Sequence, residues 1–590
     1  MNHRLLFALL LSYLLSPALT AQLELYDHTY NHKTGTSLTV TTMSSTLPSS
    51  GYMAVRVLAR NGEKIPLSWS FNFKSADHSY SDSNELSSSF SLSCAPGKQK
   101  NIEFLVPLVT AIHANSPLAL EVNINGRPPL TSTFEKMESD HSQSWPGILM
   151  SEALHTPNAG PLDSAASSGS RYGSPDFAGK FIPLNLSDDW RAYSGYDIIM
   201  LTSTDWKSIS PGAKTAILKW NRLGGRIIIY SVNPSVSLAS LGLEGHENSP
   251  KKITRSWGSI ELLRLPKSSL LKPAPTVSLV KRSLLQPKGQ VFGNELATNW
   301  PLQNLFGERS FNPVFFILIL IAFGIIVGPV NLFVFAKSGQ RHRLFITTPI
   351  ISLAASALLL IIIIFQDGFG GKGHRLALIE VQPEENIAYI QQQQIARSGV
   401  LFKTSFKTKN HAIVSPAALD ESRWARITPD NEGGESRYRI SIEDKNTHSL
   451  SGDWFKSRSE YGHLITSIQS TRGRLELLSP NGPPTITSTF DFPLKKIYYL
   501  DSNGGIWQST GSLDSGRKVQ LSPGADNDFD QMLKTQTALL NKDSQNRLKL
   551  TSQRPGHFIA LAEEGPFIET LNSLSWKESS AIITGPVIEP

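Results

Sequence analysis

Three unbroken apolar runs stand out from the alternating and amphipathic patterns of the rest of the chain, and they set its topology. The first lies in residues 1–21, where Arg4, beside His3, precedes the apolar stretch Leu5–Leu15 and a break at Ser16–Pro17. Small residues then lead to Ala21, a pattern that predicts a secretory signal peptide. That stretch falls short of the about 20 residues needed to span a bilayer. Leu19 is a merely acceptable residue three positions before the cut, so an uncleaved signal anchor stays open. The other runs, Pro313–Ala336 and Leu344–Phe365, contain no charged residue and are long enough to cross the hydrocarbon as helices. A buried hairpin in a soluble protein would need a core thick enough to hide both. The spacing therefore predicts transmembrane helices over 313–336 and 344–366. The connector 337–343 carries Lys337, Arg341 and Arg343 and no acidic residue, which places it in the cytoplasm. Both flanking regions then face outward. Gly324-x-x-x-Gly328 is either a close-approach motif or ordinary membrane-helix glycine. Pro329 and Pro349 are expected to kink their helices or lie near their ends.

Residues 22–140 alternate apolar and polar positions between loops rich in Ser, Asn, Gly and Pro, as in Tyr52–Ala59, Leu67–Phe73 and Leu118–Ile124. That predicts an antiparallel β-sandwich. From 141 to 265 the pattern changes. Ile148–Met150 and Asp197–Leu201 are continuous apolar runs, the mark of strands buried on both faces. Ser210 and Pro211 then open a helix with Ala213, Ala216, Ile217, Trp220 and Leu223 on one face, and Gly224–Gly225 end it before the strand Arg226–Tyr230. Strand, helix and strand predict a parallel α/β layer. Gly160–Gly173 is expected to be a surface loop and 266–312 a linker to the membrane. Residues 367–590 again read as mainly β, with strands at Arg375–Val381, Tyr438–Glu443, Leu475–Leu478 and Ile497–Leu500 and a hairpin signal at Asn503–Gly504. Phe529–Leu540 reads as the one clear helix, Pro555–Leu561 as a turn into a late strand. One or two β-sandwich modules fit this length, and no fixed-period repeat is visible.

Composition narrows the chemistry. The formal charge of +7 is spread thinly, with no basic run or aromatic-interleaved basic stripe, so nucleic acid is not an expected partner. Cys94 is the only cysteine, which excludes an intramolecular disulfide and a cysteine zinc site. Its alternating surroundings predict a small buried hydrophobe. No metal site and no cofactor are expected.

The segment Leu184–Trp206, followed by Pro211–Tyr230, resembles the class I glutamine amidotransferase-like domain of uncharacterised bacterial membrane-anchored proteins. The matching positions are Trp190, Tyr193, Asp197, Asp205, Trp206, Gly224, Gly225 and Arg226. Gly328–Pro329–Val330–Asn331, the basic connector and Asp367–Gly368–Phe369–Gly370 resemble the membrane block of the same family. The resemblance spans residues 145–375 and implies a flavodoxin-like α/β fold outside the membrane. A working glutaminase also needs a cysteine on a strand-to-helix elbow, a histidine base and a carboxylate. Cys94 lies outside this domain, and the chain contains no G-x-S-x-G or G-x-C-x-G elbow.

Other candidates are sparse. Ser231 follows a strand but runs into the Asn233–Pro234 turn. Asp140, His141, Glu152 and His155 cluster in sequence without helical periodicity, and Gly368–Gly373 follows a membrane helix rather than a strand. Asp205 and Trp206 lie just past a strand's C-terminal end, where open α/β sheets bind ligands, and are the expected ligand- or partner-binding pair. No catalytic residue is assigned. The sequence thus points to a non-enzymatic binding or scaffold platform on the bacterial inner membrane, with the lipid bilayer and a membrane or envelope protein as partners. The competing reading is an envelope hydrolase or amidotransferase-type enzyme. A transporter is a third, with no intramembrane charge to couple transport.

Overall fold

The structure is a computed structural model that describes residues 22–78, 83–109, 117–124, 129–135, 145–167, 176–249, 251–281, 300–306, 314–335, 338–339, 341–408, 412–417, 435–442, 447–479 and 482–589. The signal-peptide segment, Lys337, Asp140 and His141 lie outside the described residues. The chain is mostly β-sheet, with two long apolar helices.

The N-terminal alternation builds two facing sheets. Glu24–Asn31, Thr36–Thr42, Gly51–Arg60 and Gln99–Leu108 form an antiparallel sheet of four strands. In the facing sheet, Leu67–His78 pairs with Ser83–Cys94 on one side and Pro117–Ile124 on the other. Trp69, Phe71 and Phe73 point inward, and Phe71 and Phe90 meet Phe104 with ring centroids 5.6 and 4.6 Å apart. Cys94 is buried in this core, its Sγ 3.3 Å from the Lys98 carbonyl. Because a serine hydroxyl would find that same acceptor, Cys94→Ser is expected to cost no more than about 1 kcal/mol. Urea unfolding of the two proteins checks this.

The sandwich is not self-contained. Its Ser83–Cys94 edge is covered by Glu435–Ile442, which runs parallel to it from Glu435↔Ser83 to Ser441↔Ser89. His448–Gly452 and Phe406–Thr408 extend the sheet to seven strands. The C-terminal region is therefore not one or two separate sandwiches. Part of it satisfies an edge that an isolated 22–140 module would leave open to pairing with other chains. The remaining C-terminal strands form a nine-stranded sheet centred on Gly371–Gln382, which pairs antiparallel with Ile387–Ser398 and parallel with Leu574–Pro586. Asp526–Thr537 is a helix at the expected place, and Lys542–Ser552 is a second, opened by the Asn541 side chain accepting from Ser544 N.

The middle segment is an α/β layer. Ile148–Ser151, Gly179–Phe181, Ile198–Thr202, Arg226–Ser231 and Gly258–Arg264 run parallel. Numbered by their place in the chain, they lie in the order second, first, third, fourth, fifth. Ile198↔Arg226 through Thr202↔Tyr230 are neighbours in register, as the spacing predicts. Ser210 caps the Pro211–Arg222 helix, which buries Ala213, Ala216, Ile217 and Trp220 on the sheet.

Two readings of this region are corrected. Residues 160–167 belong not to a surface loop but to a helix, Glu152–Ser167, whose buried stripe is Leu154, Asn158, Leu162 and Ala166. Its signal is weak because one stripe position is the polar Asn158, which bonds the Leu154 and Ser269 carbonyls and Leu271 N. Pro157 and Pro161, normally helix breakers, lie four apart on the exposed face, where carbonyls left without an N–H partner can turn to water. The segment read as a linker also contains a helix, Pro273–Lys281, whose Val277 and Val280 enter the same core as Leu154 and Leu162.

The two apolar helices are long and apolar enough to cross a membrane. The first is α-helical over Val314–Ile325 and widens to a π-helix over Ile326–Phe335. The change falls where the Pro329 ring would meet the carbonyl four residues back, at Ile325. The second runs unbroken over Leu344–Asp367. Gly324 and Gly328 do not form the helix contact, since a Cβ at either would touch nothing within 4 Å. The clasp is polar: Thr347 Oγ1 donates to Asn331 Oδ1 at 2.6 Å, and Asn331 Nδ2 donates to Thr348 Oγ1 at 2.9 Å. Asn331→Leu is expected to loosen the pair by about 0.6–1.7 kcal/mol. The check is a drop in oxidative crosslinking between cysteines placed on the two helices.

Candidate functional site

The expected ligand-binding pair serves the turn that carries it. Thr202 Oγ1 accepts from Asp205 N at 3.0 Å, and Asp205 Oδ2 accepts from Thr202 N at 3.1 Å and from its hydroxyl at 2.8 Å. This reciprocal cap starts the short helix Ser203–Ser208. Trp206 is only 2% exposed and donates Nε1 to the Leu241 carbonyl at 3.1 Å. Sequence position places both residues at the strand's end, and the structure commits both side chains to holding it. Ser231 is buried and bonded by Ser203 Oγ at 3.2 Å and to the Asn233 carbonyl at 3.0 Å. Glu152 and His155 do share a helix. Glu152 lies 3.8 Å from Lys180, and His155 is pushed below the usual imidazole range, first by burial and then by Lys180. No cluster of three or more metal-ligating side chains occurs among the described residues.

Asp197, Tyr193 and Arg226, three of the positions that carry the resemblance, are likewise structural. Asp197 accepts from Gly147 N at 2.8 Å, and Tyr193 donates to the Ser187 carbonyl at 2.7 Å. Arg226 pairs with Glu261 at 2.8 Å inside the layer.

What the sequence did not anticipate is a cavity of about 140 Å³ where the sandwich, the α/β layer, the nine-stranded sheet and the Lys542–Ser552 helix meet. Ser50 and Gly51 come from the sandwich. Gly51 has φ +75°, and a Cβ there would fall 2.6 Å from Gly195 N, so the close approach of the two bodies requires glycine. Trp190 and Trp220 form the α/β wall, Gln391–Gln393 line it from the sheet, and Asn541, Asp543 and Arg547 close it. The glutamines are pinned. Gln393 accepts from Trp300 Nε1 at 3.1 Å and donates to Ser544 Oγ at 2.8 Å, while Gln392 exchanges two bonds with Ile568 as a backbone strand would. Arg547 donates to Asp543 Oδ2 at 2.7 Å and to the Leu223 carbonyl at 2.6 Å, capping the helix that carries Trp220. Asp543 Oδ1 is buried with no hydrogen-bond partner among the described residues.

Such a lining of amides, indoles, aliphatic side chains of Leu223, Ile413, Leu464 and Ile465, and one ion pair suits a small, partly apolar ligand that can donate to Asp543. It holds no imidazole or thiol among the described residues; its one carboxylate is that of Asp543. The signal for it was the run Gln391–Gln394, which breaks every apolar period yet forms a buried strand. A larger hollow of about 730 Å³ opens beside the exit of the second apolar helix, lined by Gly370, Phe402, Lys403, Lys407 and Glu569 among others.

A buried ionic seam locks the α/β layer to the nine-stranded sheet. Glu380 lies in the sheet with 0% exposure, and burial pushes its carboxyl up against the opposing pull of Arg554, 3.5 Å away. Arg554 also donates to the Ser256 carbonyl of the α/β layer. Across the seam Arg222 meets Glu385 at 2.6 Å and Arg255 approaches it at 3.5 Å.

No family model matches the chain, and no curated protein matches it. Among solved structures it aligns with the sporulation control protein Spo0M of Bacillus subtilis at 16% identity, over 18% of this chain and 50% of that one, with a TM-score of 0.12. It aligns with the trimeric lipoprotein SadB of Salmonella enterica at 13% identity over 22% and 74% of the two chains, TM-score 0.12. The yeast delta-COP-I mu-homology domain aligns at 8% identity over 37% and 96%, TM-score 0.16. The chain spans half of the first of these, and none of the three resembles it as a whole.

Proposed function

We propose that the chain is a bacterial inner-membrane protein whose outward-facing domains act together as a non-enzymatic platform for a partner protein or small ligand. The observation that carries this is the parallel pairing of Glu435–Ile442 with Ser83–Cys94. One strand precedes the two apolar helices and the other follows them, so the chain must return to the side it left. A pair of crossings does that, and the basic connector then favours the cytoplasm for the turn. The result is one body, built from both halves of the chain and held at a membrane by a hairpin that carries none of its folded mass.

The α/β layer supports kinship with amidotransferase-like domains through its strand order, which is the flavodoxin-like one. Asp197, Tyr193 and Arg226 hold the layer together, and Cys94 sits in the sandwich, which fits a degenerate domain used for binding. The cavity at the meeting of the bodies is where a ligand would set their relative packing.

Crosslinking in native membranes followed by purification is expected to recover a partner in stoichiometric amount. Recovery of the protein alone, with hydrolysis of glutamine or esters by the purified chain, would overturn the platform in favour of an enzyme. Topology has its own test in a Cys94→Ser background. An impermeant thiol reagent applied to intact spheroplasts should label Lys33→Cys and Ser512→Cys but not Ser338→Cys.

A further inference from the structure

We propose that Phe369 and Phe402, with Lys372 and Lys403 near them in the chain, sit in the interfacial zone of the leaflet from which the second apolar helix emerges, giving the outward body a second membrane contact. This rests on reading the two helices as membrane spans. Phe402 is 87% exposed and Phe369 60% exposed, and their rings stack with centroids 5.5 Å apart and planes 15° from parallel. Two large apolar side chains gathered on one exposed spot mark a surface that meets something other than water.

Their position in the chain says what that is. Phe369 is two residues beyond Asp367, the last residue of the helix, so it leaves the hydrocarbon at the level of the headgroups. Phe402 is far along the chain but is tied to the same level by backbone bonds. Val400 N donates to the Gly368 carbonyl at 2.9 Å, Gly370 N to the Val400 carbonyl at 3.0 Å, and Gly399 N to the Gly370 carbonyl at 2.7 Å. Gly368 and Gly370 both have φ +74°, which lets the chain turn tightly enough at the helix exit to make these bonds. The next residue, Leu401, is anchored in the core and donates to Ser457 Oγ at 2.9 Å. Phe402 is thus flanked in the chain by Leu401 and Phe406, both buried in the core. It is not a loose tip.

The charge agrees. Lys403 follows Phe402 directly in the chain and Lys372 lies three residues after Phe369, both exposed, and lysine stems lie along apolar surface while their ammonium groups reach anionic phosphates. Aromatic residues with lysines close by in the chain are the composition of a segment lying in a bilayer interface.

The test uses full-length protein in a Cys94→Ser background, reconstituted in vesicles of phosphatidylethanolamine and phosphatidylglycerol. A nitroxide is attached at Phe402→Cys, and collisions with oxygen and with a neutral nickel chelate are measured. Leu353→Cys, within the second helix, is the hydrocarbon reference, and the exposed Ser512→Cys is the aqueous one. Position 402 is expected to lie between them, and Lys372→Glu with Lys403→Glu should shift it toward the aqueous value. An aqueous reading at 402 with a hydrocarbon reading at 353 would overturn the interfacial contact and leave the spanning helices standing. Aqueous readings at both would remove the membrane spans themselves. A label at 402 immobilised and shielded from both reagents would put a protein surface, not lipid, on this patch and overturn the proposal.

Discussion

Arg554→Met is expected to destabilise the folded body by about 3–5 kcal/mol, because it strips the partner from a carboxylate that has no route to water. Glu380 is fully buried at the seam, and the Arg554 guanidinium is the strongest pull on its carboxyl against burial. The substitution keeps the volume of the side chain, so the lost pairing dominates over any cavity. Two controls separate pairing from packing. The double variant Glu380→Gln with Arg554→Met removes both charges and should regain most of the loss, since replacing a whole buried pair is often close to neutral.

The second control is pH. A carboxyl raised in the folded state binds its proton more tightly there than in the unfolded chain, so its contribution to stability falls as pH rises from the unfolded value through the folded one. With Arg554 gone, Glu380 rises further, and the deficit of Arg554→Met should shrink as the solution is acidified. Urea unfolding of the full chain in detergent across a pH series measures both effects. A deficit below about 1 kcal/mol, or one independent of pH, would mean that the seam does not hold the two bodies together.

How far this architecture was legible in the sequence depends on the range over which each element is specified. The Pro211–Arg222 helix and the strands flanking it were readable because cap, apolar face and stop signals lie within some twenty residues and agree with one another. The apolar helices were readable for the same reason, their composition alone being sufficient. The Glu152–Ser167 helix was hidden because its buried stripe includes Asn158, whose amide needs, besides Leu154, partners more than a hundred positions away. Gln391–Gln394 was hidden likewise: buried amides are tolerated only where partners exist, and those partners come from Trp300, Ile568 and Ser544. The pairing of Ser83–Cys94 with Glu435–Ile442 was beyond any local pattern. Each strand alternates as an edge strand should, but nothing in the alternation names the partner. Asp205 and Trp206 illustrate the same limit at a candidate site. Their place after a strand was legible, but their commitment to a cap and to the Leu241 carbonyl was not.

Trp220→Ala is expected to cost about 3–5 kcal/mol, the usual range for a large aromatic removed from a core. Trp220 has 0% exposure, and its Nε1 donates to the Tyr196 carbonyl at 3.2 Å. It lies 6.4 Å from the Tyr193 ring, and a Cβ at Gly225 would fall 2.4 Å from the indole, so the glycine that ends the helix is fitted to this side chain. Alanine would therefore open a void that rigid backbone cannot close, and would also leave the Tyr196 carbonyl unpaired at about 1 kcal/mol. Trp220→Phe restores most of the volume but not the hydrogen bond, and should recover all but about 1–2 kcal/mol. Gly225→Ala attacks the same contact from the other side and should fail for want of space, with the indole intact. Because Trp220 also walls the cavity, whose far side is Gln391–Gln393 and Arg547, losing it should loosen the α/β layer from the C-terminal sheet as well as weaken its own helix. Hydrogen exchange would report that as raised exchange in Ile387–Ser398 together with Pro211–Arg222. Raised exchange confined to the helix, with stability lowered by less than about 1 kcal/mol, would show that the indole fills a local pocket and does not join the bodies.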